Sequence, residues 1–249
     1  MAGRGWAVEG QRVRELRRRI GYPDVPVPVE RDWSALGPGY APVEYTAPSV
    51  PEPEPDLEAA WRRAVRLSCH PLLLRDAASG RPLSPAGPTG ITGRGRLHRF
   101  GPNPAADGLV THGSGARALV LLVRRRDTGQ LAFPGGFRET DPRTGELEDA
   151  VRAALRETLE ETGVRAHGGA ARLLHEGVAH WSVRNTDNAW IENCAVHVRL
   201  PRGAGGPPRA EGRDDARTAD WFPVHGVDPA TLSATHAAHL GRLRRGLGG

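Results

Sequence analysis

The sequence predicts an α+β protein, a mixed-sheet α/β/α sandwich preceded by a loop-rich N-terminal subdomain. Two observations carry this prediction. In the second half of the 249-residue chain, strand-like and helical segments are mixed without a regular βαβ rhythm. In the first hundred residues, proline and glycine are frequent enough to exclude long helices and central strands from segments such as 22–33. We place the domain boundary between residues 110 and 111, which gives a subdomain at 1–110 and a main domain at 111–249.

The elements follow from local patterns. In the first half, a short helix is predicted at 56–67, with Asp56 as its N-cap. Two arginine-rich stretches, 12–21 and 241–249, fit the solvated faces of amphipathic helices. The second half contains strand-like segments at 118–126, 172–181, 188–200 and 218–224, and the segment 130–137 follows the first of them after a short turn. Helices are predicted at 147–162 and 235–247, and a polar loop at 203–215.

Composition limits the class of protein. The net charge is +5, and the basic residues are all arginine, yet no aromatic interleaving or reader motif accompanies them, so we expect no nucleic-acid partner. The longest apolar run, 118–123, has the length of a strand, so no membrane partner is expected. Two cysteines do not make a disulfide framework, and we predict a cytoplasmic protein, either a monomer or a homodimer.

Three glutamates crowd the predicted helix at 147–162: Glu157, Glu160 and Glu161. At about 100° per residue they span an arc of roughly 100° and can reach one point in space. A different face is predicted to be buried, with Val151, Ala154, Leu155, Thr158 and Thr162. Because like charges at this spacing repel, the pattern indicates either a solvated acidic face or a site for a hard cation such as Mg²⁺.

A glycine pair and a further glutamate come before this helix. Gly135 and Gly136 allow the backbone to approach a ligand closely, and Glu148 stands eight positions before Arg156. Followed by Arg-Glu-x-x-Glu-Glu-x-Gly, this pattern resembles the Nudix box. The resemblance implies the Nudix fold and makes 111–249 a Nudix catalytic domain.

The resemblance also implies roles. Glu157, Glu160 and Glu161, with the carbonyl of Gly136, are expected to hold one to three Mg²⁺ (or Mn²⁺) ions against a diphosphate. Such ions lower the pKa of a bound water that cleaves the linkage. Arg156 is expected to orient the carboxylates without touching the metal.

One departure from the family pattern concerns the loop after the glycines. The pattern has five residues between its glycine and its first glutamate, whereas 137–147 lie between Gly136 and Glu148 here. The extra residues fit a turn that enlarges the loop. Glu146 therefore competes with Glu148 for the first-glutamate role.

Other segments bear on the substrate. Residues 42–48, 85–107 and 183–192 resemble the mitochondrial-type ADP-ribose pyrophosphatases and the ADP-ribose-sensing domain of a TRP-type cation channel. This resemblance implies hydrolysis of ADP-ribose to AMP and ribose 5-phosphate. Two alternatives stay open: another Nudix substrate such as NADH, coenzyme A or a dinucleoside polyphosphate, and a module that binds ADP-ribose without cleaving it.

The same resemblance carries two ligand contacts over to this chain. Arg184 matches an arginine that contacts the ligand in the sensing domain, and Ser182 replaces an aspartate two places before it. His236 matches the histidine of a C-terminal family segment, where Ser233 replaces a tyrosine. Both departures concern the contacts with the terminal ribose.

Further polar candidates have two interpretations each. Asn185, Asp187 and Asn188 either bind substrate or form an Asx-rich turn. Alternation places Glu192 on an apolar face of its strand with Trp190, where it is either a site residue or part of a buried salt bridge.

The acidic loop residues are open in the same way. Glu211, Asp214 and Asp215 are candidates for a water-activating base or belong to a solvated loop. Trp190 and Trp221 are predicted to be core residues rather than platforms for adenine.

Overall fold

The structure is a computed structural model and describes residues 2–51, 56–166, 170–201 and 206–247. The chain forms two compact units, described here separately: Met1–Pro104 with Gly177–Glu192, and Ala105–Glu176 with Asn193–Gly249. The division predicted at 110 and 111 stays a prediction. In the structure, however, 177–192 belong with the N-terminal residues.

The first unit consists of two helices and short strands joined by long loops. They are α1 (Ala2–Arg19), β1 (Val43–Thr46), α2 (Leu57–Leu67), β2 (Leu74–Arg75), β3 (Pro82–Leu83) and β4 (Ile91–Gly95). β1 pairs with β4 in parallel, and β2 pairs with β3 antiparallel. Asp56 caps α2 as predicted, because its carboxylate accepts from the amides of Glu58 and Ala59. Little regular structure fixes this unit, so side-chain hydrogen bonds hold its loops.

The solvated face predicted for 12–21 is wrong at Arg17, whose exposed fraction is 1%. Its guanidinium donates to the carbonyls of Thr89 (3.0 Å), Val183 (3.1 Å) and Asn185. These carbonyls lie in loops, where strand pairing does not supply their hydrogen bonds, and arginine has enough donors to bond all three. Arg14 follows the prediction, since it pairs with Asp24 at the surface.

The second unit is built on a seven-stranded sheet. Its elements are β5 (Gly101–His112), β6 (Leu119–Arg125), β7 (Leu131–Ala132), β8 (Gly135–Phe137), α3 (Ala150–Thr162), β9 (Ala170–Val178), β10 (Ala189–Arg199), β11 (Ala216–Pro223) and α4 (Ala234–Leu247). Three of these strands, β5, β9 and β10, also include residues of the first unit. The strand order is β11-β6-β5-β10-β9, with β7 paired to β6 and β8 paired to β5. The predicted fold class is confirmed.

Two hydrophobic clusters form on the main sheet. Leu109 and Leu122 pack in one cluster with Leu240 of α4. Their sequence neighbours Val110 and Leu121 pack in the other, with Ala153 and Ala154 of α3. Since successive strand residues point to opposite faces, α4 covers one face and α3 the other. This is the α/β/α sandwich that positions the glutamate helix.

Three details differ from the sequence predictions. β5 was not predicted, because its sequence, GPNPAADGLVTH, lacks β-branched alternation. The alternation predicted for β10 is absent, since almost all of its residues are buried. α3 begins three residues later than predicted, after its N-cap Asp149.

Two other points concern coverage and membranes. Residues 203–205 of the predicted polar loop lie outside the described residues. Within the described ranges, no helix is long and apolar enough to cross a membrane.

Candidate active site

Helix α3 presents the predicted glutamates from a well-defined frame. The carboxylate of Asp149 accepts from the amides of Val151 and Arg152 at its start. At its end, Gly163 adopts the left-handed conformation (φ 70°), and its amide donates to the carbonyl of Leu159. Both ends of the helix are therefore fixed by the residues that the sequence provides there.

One guanidinium holds three of the carboxylates. Arg156 donates to Glu148 through Nη2 (2.9 Å) and Nε (3.2 Å), to Glu157 (2.8 Å) and to Glu160 (3.0 Å). It also donates to the carbonyl of Phe137, next to the glycine pair (3.0 Å). These hydrogen bonds, that to Glu148 first, raise the pKa of Arg156. The predicted orienting role of Arg156 is the one that this geometry supports.

Glu161 is set apart from the other glutamates. It is buried, with an exposed fraction of 3%, and lies beside the buried Thr158 rather than on a separate face. Its carboxylate accepts from the amide of Gly135 at 3.1 Å. Burial raises its pKa to about 8, and burial also raises the pKa of Glu157 although Arg156 acts in the opposite direction. Burial of Glu161, and partial burial of Glu157, is therefore not fully offset by positive partners.

The glycine pair is required by the close approach of acidic side chains. A Cβ added at Gly136 would lie 2.4 Å from the carboxylate carbon of Glu157. A Cβ at Gly135 would lie 2.3 Å from Oδ1 of Asp107, its partner across the β5–β8 pair. Any other residue at either position would displace a carboxylate.

These residues fit a divalent cation by their chemistry. The donors are hard carboxylate oxygens, two of them with a raised pKa, and the glycine pair leaves room beside them. As the side chains stand, the described part of the chain contains no group of three His, Cys, Asp or Glu residues arranged to hold an ion. Arg156 engages Glu157 and Glu160, and the amide of Gly135 engages Glu161. Binding a cation thus requires these carboxylates to exchange partners.

The long loop after the glycines closes on itself. Thr140 and Leu147 form an isolated antiparallel bridge, and the amide of Asp141 donates to the carbonyl of Glu146 (2.9 Å). The extra residues form a hairpin whose tip is exposed. Glu148 emerges from its base and meets Arg156, so this contact favours Glu148 over the exposed Glu146 as the first glutamate.

The acidic loop lies against the end of α3. The amide of Arg213 donates to the carbonyl of Glu161 (2.8 Å), and the side chain of Arg213 pairs with Glu211 (3.3 Å). Asp214 is the one non-glycine residue with a positive φ, 45°, among the residues described. Its charge acts to raise the pKa of Glu157. The positive φ of Asp214 and its effect on the pKa of Glu157 favour it over Asp215 as a base, while the carbonyls of both residues accept from Arg126.

Asp107 is a buried acid of the candidate site that the sequence reasoning missed. Its Oδ2 accepts from Nε2 of His236 (3.0 Å) and from Asn193 (2.9 Å). The other nitrogen of His236, Nδ1, accepts from the amide of Phe133 (3.2 Å). Both nitrogens of this predicted substrate residue thus contact the protein itself. The Gly- and Pro-rich strand around Asp107 gave no signal.

His239 stacks against His236 in the same cluster. Their ring centroids lie 6.1 Å apart, and Nε2 of His239 is 3.8 Å from Asp107. Burial lowers the pKa of His239 to about 3, so the ring is neutral near pH 7. It contributes packing rather than charge.

The remaining predicted substrate residues belong to the first unit, and most of them are bonded inside it. Asp187 accepts from the amide and hydroxyl of Thr89 (2.7 and 2.8 Å) and from Tyr40 (2.6 Å). Asn188 contacts the backbone of Gly93 and Pro82. Asn185 similarly contacts the backbone of Ala179 and Ile191. Arg184 is partly buried, and its carbonyl accepts from the hydroxyl of Tyr22 (3.0 Å).

Among the described residues, Glu192 has hydrogen-bond donors rather than an ion-pair partner, which corrects the salt-bridge interpretation for that part of the chain. Its carboxylate accepts from the indole of Trp190 (2.9 Å), the hydroxyl of Ser68 (2.5 Å) and the amide of Cys69 (2.5 Å). Trp190 is fully buried, as predicted, whereas Trp221 is only partly buried and donates to the carbonyl of Pro208. Glu192 therefore ties the end of α2 to the start of β10.

Comparison with known proteins agrees with this geometry. The family model described as the NUDIX domain matches residues 101–243, and that described as the NUDT9-like N-terminal domain matches residues 27–101. The chain therefore belongs to the Nudix hydrolase family and carries a NUDT9-like N-terminal domain. Nudix hydrolases generally use divalent metal ions.

Three relatives indicate the range of the family. The chain is 30% identical to the putative nudix hydrolase 6 of Caenorhabditis elegans, covering 89% of each protein. It is 28% identical to the mitochondrial ADP-ribose pyrophosphatase of Rattus norvegicus, over 86% of this chain and 71% of that protein. It is 32% identical to a transient receptor potential cation channel subfamily M member-like 2 of Nematostella vectensis, over 86% of this chain but 16% of the channel.

Proposed function

We propose that this Nudix hydrolase cleaves the pyrophosphate of ADP-ribose to AMP and ribose 5-phosphate, and that it needs Mg²⁺ or Mn²⁺. The observation that carries the proposal is the cluster of glutamates around Arg156 beside a glycine pair, with Glu161 buried and short of positive partners. The similarity to a rat ADP-ribose pyrophosphatase supports the choice of substrate.

In this proposal, Glu157, Glu160 and Glu161, with the carbonyl of Gly136, would hold the cation. When bound, a divalent cation supplies positive charge against the diphosphate and makes the attacking water more acidic. Arg156 keeps Glu157 and Glu160 oriented through its hydrogen bonds. Without a cation, the local excess of negative charge would repel an anionic substrate.

The proton of the attacking water needs an acceptor. We assign that role to the carboxylate of Asp214, on the loop whose neighbour Arg213 is bonded to the carbonyl of Glu161. Its left-handed backbone is a conformation that is retained only where the surroundings hold it, often at functional sites.

Substrate contacts divide into direct and indirect ones. Arg184, which is partly buried, is assigned to an anionic part of the substrate, and His236 to packing against it through its ring. An indirect part is assigned to the residues whose polar atoms are bonded inside the first unit: Asn185, Asp187, Asn188 and Glu192.

Product analysis with ADP-ribose, with and without Mg²⁺, tests the proposal. AMP and ribose 5-phosphate should form only with the cation, and replacing both Glu160 and Glu161 with glutamine should reduce AMP release at least about a hundredfold. Glu146→Gln is the matched control, since Glu146 is exposed on the hairpin. Undiminished Mg²⁺-dependent turnover in the double variant would contradict the site. Faster cleavage of NADH, coenzyme A or a dinucleoside polyphosphate would contradict the substrate. Tight calorimetric binding of ADP-ribose with no product would identify a sensing module.

Further predictions concern the protein in the cell. We keep a cytoplasmic location, a monomer or homodimer, and no nucleic-acid or membrane partner as proposals. The rat relative's name places that protein in mitochondria, so organelle import is the rival location. Fractionation and light scattering would decide between these possibilities.

A further inference from the structure

The start of α4 is bonded to the segment that leads into the glycine pair, and the side chains that make this connection are Asp107 and His236. We propose that both are positioning residues, which together fix the backbone just before Gly136, whose carbonyl is assigned to the cation. The inference rests on the proposed function, because it takes Gly136 as a ligand of a divalent cation. Every residue involved belongs to the second unit.

The two ring nitrogens of His236 have different roles. Nδ1 accepts from the amide of Phe133 (3.2 Å), so the proton of the ring is on the other nitrogen. That nitrogen, Nε2, lies 3.0 Å from Oδ2 of Asp107 and donates to it. The ring also packs on that of Phe133, with the ring centroids 5.6 Å apart. His236 therefore joins the backbone of Phe133 to the side chain of Asp107.

The carboxylate of Asp107 lies between this histidine and the glycine pair, with an exposed fraction of 4%. Its Oδ2 accepts from His236 and from Asn193 (2.9 Å). Its Oδ1 lies so close to Gly135 that a Cβ there would be 2.3 Å away. A buried carboxylate is stable only where donors face it, so the histidine and the asparagine fix its orientation. The oxygen on the other side thereby limits where the backbone of Gly135 can lie.

The residues next to Gly136 have further backbone anchors. The carbonyl of Pro134 accepts from the amide of Gly108 (2.8 Å), and the amide of Gly135 donates to Glu161 (3.1 Å). Gly136 has no side chain through which packing could hold it, so the position of its carbonyl depends on the bonds of its neighbours. Helix α4 supplies the anchor of the residue before Pro134.

Ser233 fixes the turn of α4 that carries His236. Its hydroxyl accepts from the amide of His236 (3.2 Å), which is the N-cap bond of a helix that begins at Ala234. Its carbonyl accepts from the amide of Ala237 (2.8 Å). The serine that departs from the family pattern at this position therefore has a structural use here, because it holds the histidine at the start of the helix.

Loss of the connection should weaken cation binding even without substrate. Removing a side chain that orients a metal ligand typically lowers metal affinity tenfold or more. We therefore expect His236→Phe, which keeps a ring but neither hydrogen bond, to raise the Kd for Mn²⁺ about tenfold. Electron paramagnetic resonance of Mn²⁺ titrated with the full chain, in the absence of substrate, measures this.

Two conservative variants test the two halves of the connection. His236→Asn keeps an acceptor for the amide of Phe133, and His236→Gln keeps a donor for Asp107. Each should limit the rise in Kd to about threefold. His225→Asn is the control at an exposed histidine of the same unit, and its Kd should equal that of wild type. Failure of both conservative variants to recover affinity would overturn the proposal.

Kinetics with ADP-ribose separate positioning from ligand contact. At saturating Mn²⁺, a raised KM in His236→Phe together with an unchanged Kd for Mn²⁺ would make the histidine a ligand contact and overturn the proposal. Ser233→Ala acts through His236, so the double variant should bind Mn²⁺ no worse than His236→Phe alone. Additive losses of affinity would also overturn it.

Hydrogen exchange keeps the outcome decisive. In His236→Phe, the amides of Phe133 and Gly135 should exchange about tenfold faster than in wild type. Unchanged exchange overturns the proposal. A wild type that binds no Mn²⁺ refutes the proposed cation site, and the exchange rates still decide whether His236 fixes this backbone. If His236→Phe fails to fold, Ser233→Ala takes its place, with Kd raised about twofold, and wild-type affinity and exchange in that variant overturn the proposal.

Discussion

Two regions of the chain bury polar side chains in opposite ways. In the segment 185–192, each buried acid or amide is matched by donors and acceptors of the first unit, and Asp187 and Glu192 each accept three hydrogen bonds. At α3, Glu157 and Glu160 share Arg156 with Glu148, which precedes the helix. The described partner of the Glu161 carboxylate is a single backbone amide. Burial raises the pKa of both Asp187 and Glu161, so burial alone does not separate them.

The difference lies in how many partners each group has. A buried polar group with its partners in place stabilises one arrangement of loops, because losing any partner is expensive. A buried carboxylate with too few partners is unstable by itself and needs a cation or a proton. We therefore expect substitutions in the segment 185–192 to change stability, and substitutions on α3 to change activity.

The largest effect is expected where the glycine pair meets Glu157. Gly136→Ala places a methyl group 2.4 Å from the carboxylate carbon, so the carboxylate must move, and kcat should fall about a hundredfold. Steady-state kinetics with ADP-ribose measures this. Gly37→Ala is the control, since nothing lies within 4 Å of its Cβ position. Full activity in Gly136→Ala would remove the argument for a crowded carboxylate site.

The next effect should appear as stability. Asp187→Asn puts an amide where Thr89 and Tyr40 donate, and should lower the free energy of unfolding by about 2–4 kcal/mol with kcat nearly unchanged. Urea unfolding and kinetics below the melting temperature check both parts. Asp24→Asn, at a surface ion pair, should have a much smaller effect. A raised KM with unchanged stability would instead make Asp187 a ligand contact.

A pH series tests the shortage of partners at Glu161. Burial disfavours the charged carboxylate and raises the pKa of Glu161 from 4.5 to about 8 in the folded chain. The folded chain therefore holds this proton more tightly than the unfolded chain does, and the resulting contribution to stability is fully present below about pH 4.5. That contribution is lost as pH rises through 8. Without metal, Glu161→Gln should be as stable as wild type at pH 4.5 and more stable by about 1–3 kcal/mol at pH 9. Urea unfolding at both pH values measures this, and parallel pH profiles would contradict it. Added Mg²⁺ should favour wild type.

The smallest effect is expected from shortening the hairpin. Deleting residues 141–146 joins the bridge partners Thr140 and Leu147 and leaves five residues between Gly136 and Glu148. Because Glu148 keeps its contact with Arg156, kcat/KM should change less than about threefold. Product assays on the deletion variant measure this. A loss of more than tenfold would transfer the first-glutamate role to Glu146.

Much of the fold followed from local patterns, and the failures had physical causes. The strand at 119–125 and the helix ending at Gly163 were predicted because hydrophobic period and end residues are local signals. β5 was missed because its burial comes from neighbouring strands on both sides rather than from its own composition.

The candidate site was predictable where it is compact in sequence. The glutamates, Arg156 and the glycines lie within a short stretch, and their order along it carries the resemblance to the Nudix box that grouped them. The partners of Glu192, at Ser68 and Cys69, and those of Arg17, at Val183 and Asn185, are far away along the chain. Hydrogen bonds between residues so far apart in sequence depend on tertiary structure, and no local sequence pattern indicates them.

The closed hairpin between Gly136 and Glu148 allows the length of this loop to vary without moving its two ends. Its base is bonded across Thr140 and Leu147, so additional residues at the tip lengthen only a loop that is already closed. Doubling the length of such a loop costs only about 0.6 kcal/mol in closure entropy. The exposed tip, 141–144, is therefore the place to graft a reporter or an immobilisation tag directly beside the glutamates.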